Sequence, residues 1–389
     1  MIEPMLVSVS ASVLANILSD FIKKKRTDPE LLKKLEQEVS KRVGKQPPLV
    51  AQTNDLIEAY KEERLVLVLG AGVSADHGLP SWNTLLQKLL LSTFMSETSQ
   101  SKEKSQVLAK IFTEFFSPSP LVAARYLRTF YESDNESNKM PFDEAVRNAI
   151  YDEINLKKSS KTINEIVNLC VAPGKSPNLD SIITYNYDDL IEYHLSKLKI
   201  DVPYKSVFDV GMNPTTKELP IYHVHGFLPQ DVKLEKNNKV TLSEDVYHQQ
   251  YSDIYSWNNI VQINKFRDCK CLFIGISFTD PNLRRLLDIS KQQKGSNAES
   301  HYIIRKKYNL NKIEENISKI LDQNADLFDE KVKANLKLDE TVKYLVKVIE
   351  MFEENDAKSF DVGTIWVKEW DEIPKILRSI RSLKANGIN

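Results

Sequence analysis

The chain has 389 residues, of which 41% are hydrophobic and 28% are charged, and its formal net charge is −1 at pH 7. These values are typical of a soluble protein of two or three domains, and the balanced charge predicts no direct binding to nucleic acid or to an anionic membrane. Three cysteines, at 170, 269 and 271, are too few for a disulfide framework or a four-ligand zinc site, which indicates a cytoplasmic protein.

Residues 1–58 are predicted to form a helical N-terminal region. The first segment lacks the basic start of a signal peptide, and polar residues interrupt it too often for a membrane span. An apolar stripe follows at helical spacing, formed by Leu14, Ile17, Leu18 and Phe21. This stripe either packs on its own domain or forms the seam of an oligomer, and the second reading predicts a homo-oligomer.

Residues 59–389 are predicted to form one α/β domain. The apolar run "RLVLVL" is followed later by strand-like runs "DSIITYN", "IYHVHG", "CLFIGIS", "HYIIR" and "TIWVKEW", with helical segments between them. From about residue 85 to 178 the pattern is helical with no good strand, and the polar stretch "ESDNESNK" is predicted to form a loop within it. This alternation indicates a Rossmann-like parallel sheet with crossover helices and one helical insertion.

Glycine is concentrated directly after the first predicted strand. Three of the eleven glycines, Gly70, Gly72 and Gly78, lie within nine positions. Gly70 would allow a tight turn, Gly72 would let a pyrophosphate approach the backbone, and Ser74 would add a hydroxyl donor before a following helix. A plain turn is an equal alternative, because the pattern matches neither standard nucleotide-binding loop.

Small polar residues and glycines also follow three later strands. They are Thr184, Asn186 and Asp188 in "TYNYDDLIE", His223 and His225 in "HVHG", and Gly275 and Ser277 in "GISFTDPNL". Ligands of open parallel sheets bind beyond the carboxyl ends of the strands, so these residues are predicted to converge on one crevice. Helix capping is the alternative for the Asn-x-Asp pair, as it is for Asp280. The two histidines share one strand face, but with no third ligand evident, no metal site is predicted.

The ordered motifs G-A-G-x-S, G-[IL]-P, T-x-N-x-D, H-G and G-x-S resemble those of the sirtuins over about residues 64–305. The segments "GLPSW", "TYNYDDLIE" and "GISFTDPNL" resemble those of bacterial sirtuin-like proteins of anti-phage defence. Those proteins hydrolyse NAD to nicotinamide and ADP-ribose. The resemblance therefore implies a Rossmann-like fold with NAD as the substrate.

Two departures from the sirtuin pattern favour the hydrolases over the protein deacylases. The chain has no C-x-x-C pair, so no structural zinc is expected, and the helical insertion would replace the zinc module. Ser81, Trp82 and Asn83 stand where deacylases carry Asp-Phe-Arg, which leaves Trp82 as a candidate aromatic wall of the site.

The resemblance implies catalytic roles for Asn186, His225 and Asp188. Asn186 would orient the nicotinamide ribose and the attacking water, Asp188 would hold the polar network, and His225 would contact the ribose hydroxyls. The residues implied in NAD binding are Gly70, Ala71, Gly72, Ser74, Pro80, Trp82, Thr184, Gly275 and Ser277. Trp257, Trp366 and Trp370 are assigned to the core or to an interface.

The expected function is NAD hydrolysis that depletes NAD in abortive infection by phage. The alternatives are an NAD-dependent protein deacylase and a non-catalytic scaffold that binds NAD or ADP-ribose in a larger defence complex. The region after Arg305 is expected to be too short for a nucleotide-sensing domain. Regulation is therefore expected from self-assembly or from a partner, which the resemblance suggests is a HerA-type ATPase or another phage sensor.

Overall fold

The computed structural model describes residues 47–98, 119–132, 141–171, 179–294, 301–323 and 338–383. Most of the predicted N-terminal helical region, including the apolar stripe from Leu14 to Phe21, lies outside these ranges. Within them, none of the helices combines the length and the apolar character that a membrane crossing requires.

A seven-stranded sheet organises the fold, and every strand pair with a defined register is parallel. The strands are β1 Leu65–Leu69, β2 Leu179–Thr184, β3 Tyr204–Val207, β4 Leu219–His223, β5 Lys270–Ile274, β6 His301–Lys306 and β7 Val362–Val367. Their order in the sheet is β3-β4-β2-β1-β5-β6-β7. The predicted α/β, Rossmann-like class is confirmed.

Helices flank this sheet, and several of them lie within the predicted insertion. Those described are α1 Leu49–Lys61, α2 Trp82–Thr98, α3 Pro120–Glu132, α4 Phe142–Tyr151, α5 Lys161–Leu169, α6 Leu190–Ser196, α7 Glu244–Ser252, α8 Trp257–Asp268, α9 Pro281–Gln293, α10 Leu310–Gln323, α11 Leu338–Ser359 and α12 Ile373–Arg381. Between α2 and β2 the described residues contain no strand, in agreement with a helical insertion.

The central strands β1 and β5 are largely apolar, with Lys270 as the one charged residue of β5. All five residues of β1 are buried, as are all five of β5, because helices cover both faces of a parallel sheet. Strand β3 was not predicted from the sequence; it is an edge strand in which Lys205 is exposed and only Val207 is buried. A short, half-polar edge strand lacks the continuous apolar run that identifies the others.

Helix α1 belongs to the same compact unit as the sheet. Leu56 and Tyr60 are almost fully buried, and the Tyr60 hydroxyl donates to the carbonyl of Leu169 at 3.0 Å. The predicted domain boundary after residue 58 would cut through this helix, so it needs correction. The larger compact unit begins at Pro48 instead.

The larger unit comprises residues 48–304 and 360–389, while residues 305–359 belong to a second unit. In that second unit α10 and α11 pack against each other. The Tyr308 hydroxyl donates to Glu353 at 2.7 Å, and Arg305 pairs with the same carboxylate at 3.2 Å. Residues 59–389 therefore divide into two units, where the sequence predicted one domain.

The order of the strands defines where a ligand can bind. From β1 the chain first forms β2, β3 and β4 on one side of β1, with β3 at the edge, and then continues with β5 on the other side. The connections therefore diverge at β1 and leave a crevice beyond the carboxyl ends of β1, β2 and β5.

Candidate functional site

The loop after β1 lies in direct backbone contact with the loop after β5. The N–H of Gly70 donates to Ile274 O at 3.0 Å, and that of Gly72 donates to Gly275 O at 3.0 Å. A Cβ atom added to Gly70 would lie 2.6 Å from Gly275 O, and one added to Gly72 would lie 2.8 Å from Gly275 Cα. The two loops can meet only because both sides lack side chains.

Gly70 and Gly72 were predicted to allow a tight turn and the approach of a pyrophosphate, but in the structure they allow the contact between the two loops. The N–H groups of Gly70 and Gly72 are already donated within the protein, so they do not form a free cradle for a pyrophosphate. The helix expected next is also replaced by two 3₁₀ turns, Ala71–Val73 and Ala75–His77. Helix α2 begins only at Trp82.

Asn186, Ser74 and Asp188 form a hydrogen-bonded chain in the crevice. The amide nitrogen of Asn186 donates to the Ser74 hydroxyl at 3.1 Å, and this hydroxyl donates to Asp188 Oδ2 at 3.0 Å. The same amide nitrogen donates to the carbonyl of Gly70 at 3.2 Å. Thr184 supports the turn, because its hydroxyl accepts the N–H of Asn186 at 3.1 Å. Four predicted residues are therefore joined in one network with Gly70.

Asp188 is a buried carboxylate in a polar setting. Burial raises its pKa to about 6, although hydrogen bonds from the Leu190 N–H and from Ser74 act in the opposite direction. The bond from Leu190, at 3.2 Å, links Asp188 to the first residue of α6, whose N-cap is Asp189. Asp188 thus contacts both the start of this helix and the hydrogen-bonded chain of the site.

A small cavity of about 70 Å³ lies against this network. Of the predicted residues, those that line it are Ala71, Ser74, Pro80, Trp82, Asn186 and Asp188. The Trp82 ring lies 6.5 Å from that of Tyr247, and its Nε1 is buried with no hydrogen-bond partner in the described chain. Gly70, Gly72, Thr184, Gly275, Ser277 and His225 do not line this cavity.

His225 lies next to the network but outside the cavity wall. It is 3% exposed, its ring packs edge-on against Tyr185 at 4.6 Å, and its Nε2 lies 3.5 Å from Asp280 Oδ2. Burial lowers the pKa of His225, and the charge of Asp280 opposes that effect. The imidazole is therefore neutral near pH 7.

His223 occupies a different environment, although it is only two residues away. Its Nε2 lies 2.7 Å from Glu192 Oε1, and Ser206 donates to the same oxygen at 2.7 Å. The chain leaves β4 at His223 and turns at Val224, so His225 reaches Tyr185 and Asp280 instead. The prediction that the two histidines share one strand face was wrong, and they do not form a metal pair.

The loop after β5 carries strain close to the crevice. Phe278 has φ = 56° and is 2% exposed, an unfavourable backbone conformation for a bulky residue. Contacts with Phe273 and Phe360, at centroid distances of 5.0 and 6.4 Å, hold it in place. Ser277 shares a hydrogen bond of 2.6 Å with the Thr279 hydroxyl, and Asp280 caps α9 as expected.

Tyr247, which contacts both Asp280 and His225, was not predicted from the sequence. Tyr247 of α7 is 1% exposed and donates its hydroxyl to Asp280 Oδ2 at 2.5 Å, and its ring lies 5.8 Å from His225. Nothing in "SEDVYHQQY" distinguishes this tyrosine from an ordinary core residue. The sequence predicted only a capping role for Asp280. Its Oδ2 lies near His225 and Tyr247, which are distant in the chain, and a local pattern does not reveal such contacts.

No cluster of three or more His, Cys, Asp or Glu side chains suited to a metal ion occurs within the described ranges. The three cysteines are not joined by disulfides, and Cys170 and Cys271 are buried. The expectation that the protein needs no zinc stays a prediction.

Comparison with known proteins agrees with this architecture. Residues 180–327 match the family model of the SIR2-like domain. The NAD(+) hydrolase ThsA of Enterococcus faecium is 22% identical over 326 residues, which are 83% of this chain and 56% of that protein. The NAD(+) hydrolase ThsA of Bacillus cereus (strain MSX-D12) is 23% identical over 335 residues, 84% of this chain and 56% of that protein.

A third relative, the NAD(+) hydrolase ThsA of Cytobacillus dafuensis, is 23% identical over 273 residues, 66% of this chain and 44% of that protein. The chain thus spans about half the length of the curated relatives that it matches. The predicted resemblance to the bacterial sirtuin-like proteins is confirmed.

Proposed function

We propose that this protein hydrolyses NAD to nicotinamide and ADP-ribose. The observation that carries the proposal is the Asn186–Ser74–Asp188 chain, which lines a cavity where the strand connections diverge. The relatives named NAD(+) hydrolase support it, since they match over most of this chain.

The reaction breaks the bond between nicotinamide N1 and ribose C1′ and forms a C1′–O bond to water. Nicotinamide takes the bonding electron pair and leaves as a neutral molecule, so its departure requires no general acid. The water loses one proton, which gives NAD⁺ + H₂O → nicotinamide + ADP-ribose + H⁺. The difficult point is the cationic ribosyl centre, which needs orientation, a positioned water and nearby negative charge.

Asn186 is suited to positioning the water or the ribose. Its amide nitrogen is engaged by Gly70 O and the Ser74 hydroxyl, which fixes the orientation of the side chain. Its Oδ1 accepts no hydrogen bond from the described residues and can accept one from the water or a ribose hydroxyl. Asp188 would supply negative charge, since a pKa of about 6 leaves it ionised at neutral pH.

His225 would bind ribose hydroxyls as a neutral imidazole. The Asp280 carboxylate, 3.5 Å from Nε2, is placed to stabilise the ring when it takes a proton in the transition state. Tyr247 donates to that same carboxylate oxygen and would fix its position.

The cavity beside Asn186 is too small for a dinucleotide. Its volume of about 70 Å³ is well under the ~300–1,000 Å³ of ordinary ligand pockets. We infer that NAD enters when Trp82 and Tyr247, whose rings lie 6.5 Å apart, separate. A closed resting site would suit an enzyme that depletes cellular NAD in anti-phage defence and abortive infection. This is the function that the sequence motifs suggest. Opening would then depend on self-assembly or on a partner such as a HerA-type ATPase in the cytoplasm.

The test is to incubate the purified full chain with NAD and to separate the products by liquid chromatography. We expect equal amounts of free nicotinamide and ADP-ribose, and at least a 100-fold lower rate for Asn186→Ala. The matched control is Asn164→Ala, because Asn164 is an exposed amide on α5 that bonds only to Ser159 at 3.2 Å. Circular dichroism would verify that both variants fold.

The same incubation with an acetylated peptide tests the other activities. Formation of O-acetyl-ADP-ribose only when peptide is present would identify a deacylase and contradict the proposal. Binding of NAD without turnover, with the suspected partner also added, would indicate a scaffold.

A further inference from the structure

A second cavity, of about 390 Å³, lies beside the carboxyl end of β4. It shares no lining residue with the cavity beside Asn186. Its volume lies within the range of pockets that hold small organic ligands. The proposed NAD-cleavage chemistry uses no side chain that lines this cavity.

His223 lies in the wall of this cavity as a buried side chain with one unsatisfied nitrogen. It is 1% exposed, and its Nε2 meets Glu192 Oε1 at 2.7 Å. Burial raises the pKa of Glu192, but its contacts with His223 and Ser206 outweigh that effect and hold the pKa below its ordinary value. In the tautomer of His223 that donates from Nε2 to Glu192 Oε1, Nδ1 is the acceptor nitrogen of the ring.

Two buried acceptors at this cavity lack a donor. Neither Nδ1 of His223 nor Oδ1 of Asn237 has a hydrogen-bond partner in the described chain, and both residues line the cavity. Buried polar atoms without partners are rare in folded proteins and destabilise them. A bound molecule with N–H or O–H donors would satisfy both atoms.

The cavity also combines positive charge with aromatic surface. Two exposed lysines, Lys236 and Lys239, lie along it. Trp257 lines it at the first position of α8, a helix of 12 residues, whose N-terminus favours an anion. Phe208 adds a second aromatic ring to the wall. Trp257, assigned from the sequence to the core or to an interface, lies instead against this cavity.

The structure assigns this cavity as a second ligand site, for a molecule of the mononucleotide class. A planar base would pack on the aromatic side chains and donate its N–H groups to Asn237 and His223. The phosphate would bind the two lysines at the α8 N-terminus, and the carboxylate of Asp209, which also lines the cavity, would accept ribose hydroxyls.

The experiment is calorimetric titration of the full chain with AMP, GMP, CMP and UMP, and with inorganic phosphate as a separate probe. We expect saturable binding of at least one mononucleotide at 1:1 stoichiometry, with phosphate alone binding at least tenfold more weakly. The double variant Lys236→Glu/Lys239→Glu should lower the affinity at least tenfold, because it places negative charge beside the phosphate. Asn237→Ala, which alters no lysine, should also weaken the binding.

Two controls locate the binding. Lys233→Glu alters an exposed lysine of the same loop that does not line the cavity, and it should leave the affinity unchanged. Asn186→Ala should also leave it unchanged, since Asn186 belongs to the other cavity. Absence of mononucleotide binding, equal binding of phosphate alone, or loss of binding in Asn186→Ala but not in the lysine double variant would overturn the assignment.

Discussion

Nε2 of His225 lies 3.5 Å from Oδ2 of Asp280, while Oδ1 of the same aspartate accepts the N–H of Leu283 at 2.7 Å and caps helix α9. One carboxylate thus joins the H-G motif after β4 to the segment after β5. Because the cap fixes the aspartate at the end of a helix, the histidine faces a rigid partner, which favours a defined role in the chemistry.

His225→Gln should lower kcat for NAD hydrolysis by about 100-fold or more, since the amide cannot take up a proton. His223→Gln is the matched variant, and it should change kcat by less than about fivefold. The glutamine can still donate to Glu192, so it avoids leaving a buried carboxylate unpaired. Steady-state kinetics of both purified variants provide the comparison. A larger loss from His223→Gln would reverse the roles assigned to the two histidines.

Gly72→Ala should destabilise the protein even without a ligand. The added Cβ would lie 2.8 Å from the Gly275 backbone, and overpacking of this kind costs about 1–3 kcal/mol. Urea denaturation of the ligand-free protein measures the effect. If position 72 required glycine only to admit a phosphate, Gly72→Ala would not change the free energy of unfolding of the ligand-free protein.

Gly211→Ala is the comparison variant for this substitution. Gly211 has φ = +81° but no atom within 4 Å of an added Cβ, so this change isolates the backbone cost, about 1 kcal/mol. We expect Gly72→Ala to be the more destabilising of the two.

Asp188 should make stability depend on pH between about pH 4 and pH 6. Its pKa is about 6 in the folded protein and ~3.9 in an unfolded chain, so the folded state holds the proton more tightly. As the pH rises through this window, the unfolded state ionises first and the free energy of unfolding falls. Relative to Asp188→Asn, wild type should lose roughly 2 kcal/mol from pH 4 to pH 7.

Urea denaturation at several pH values measures this difference. Asp201→Asn serves as the control, because Asp201 is exposed. If the free-energy curves of wild type and Asp188→Asn ran parallel across this range, Asp188 would not hold its proton as described.

Deletion of residues 1–47 should leave the fold intact, whereas deletion of residues 1–58 should not. The longer deletion removes Leu56 and Ile57, which are 0% and 3% exposed, and each such side chain contributes about 1.5–3 kcal/mol when buried. Circular dichroism and thermal melting compare the two truncated proteins.

The shorter truncation also tests the oligomer predicted from the Leu14–Phe21 stripe. Light scattering after size-exclusion chromatography should show a shift towards monomer. If the truncated protein keeps the oligomeric state of the full chain, the stripe packs within its own domain.

The sequence by itself determined the fold class and the convergence of the site. Apolar runs such as that of β1, and the polar residues that follow them, are local patterns that hold in any parallel sheet. For this reason the sequence alone places Ser74, Asn186 and Asp188 among the predicted site residues. The exception was β3, whose edge position leaves it half polar.

Only the tertiary structure decided which of these groups touch. Asn186 and Ser74 are 112 residues apart, and their hydrogen bond depends on the parallel register of β1 with β2. The contact between Gly72 and Gly275 likewise depends on the register of β1 with β5, and it leaves the Gly72 N–H unavailable to a phosphate. Local patterns specify backbone conformation and burial, whereas the partners of a side chain depend on how distant segments pack.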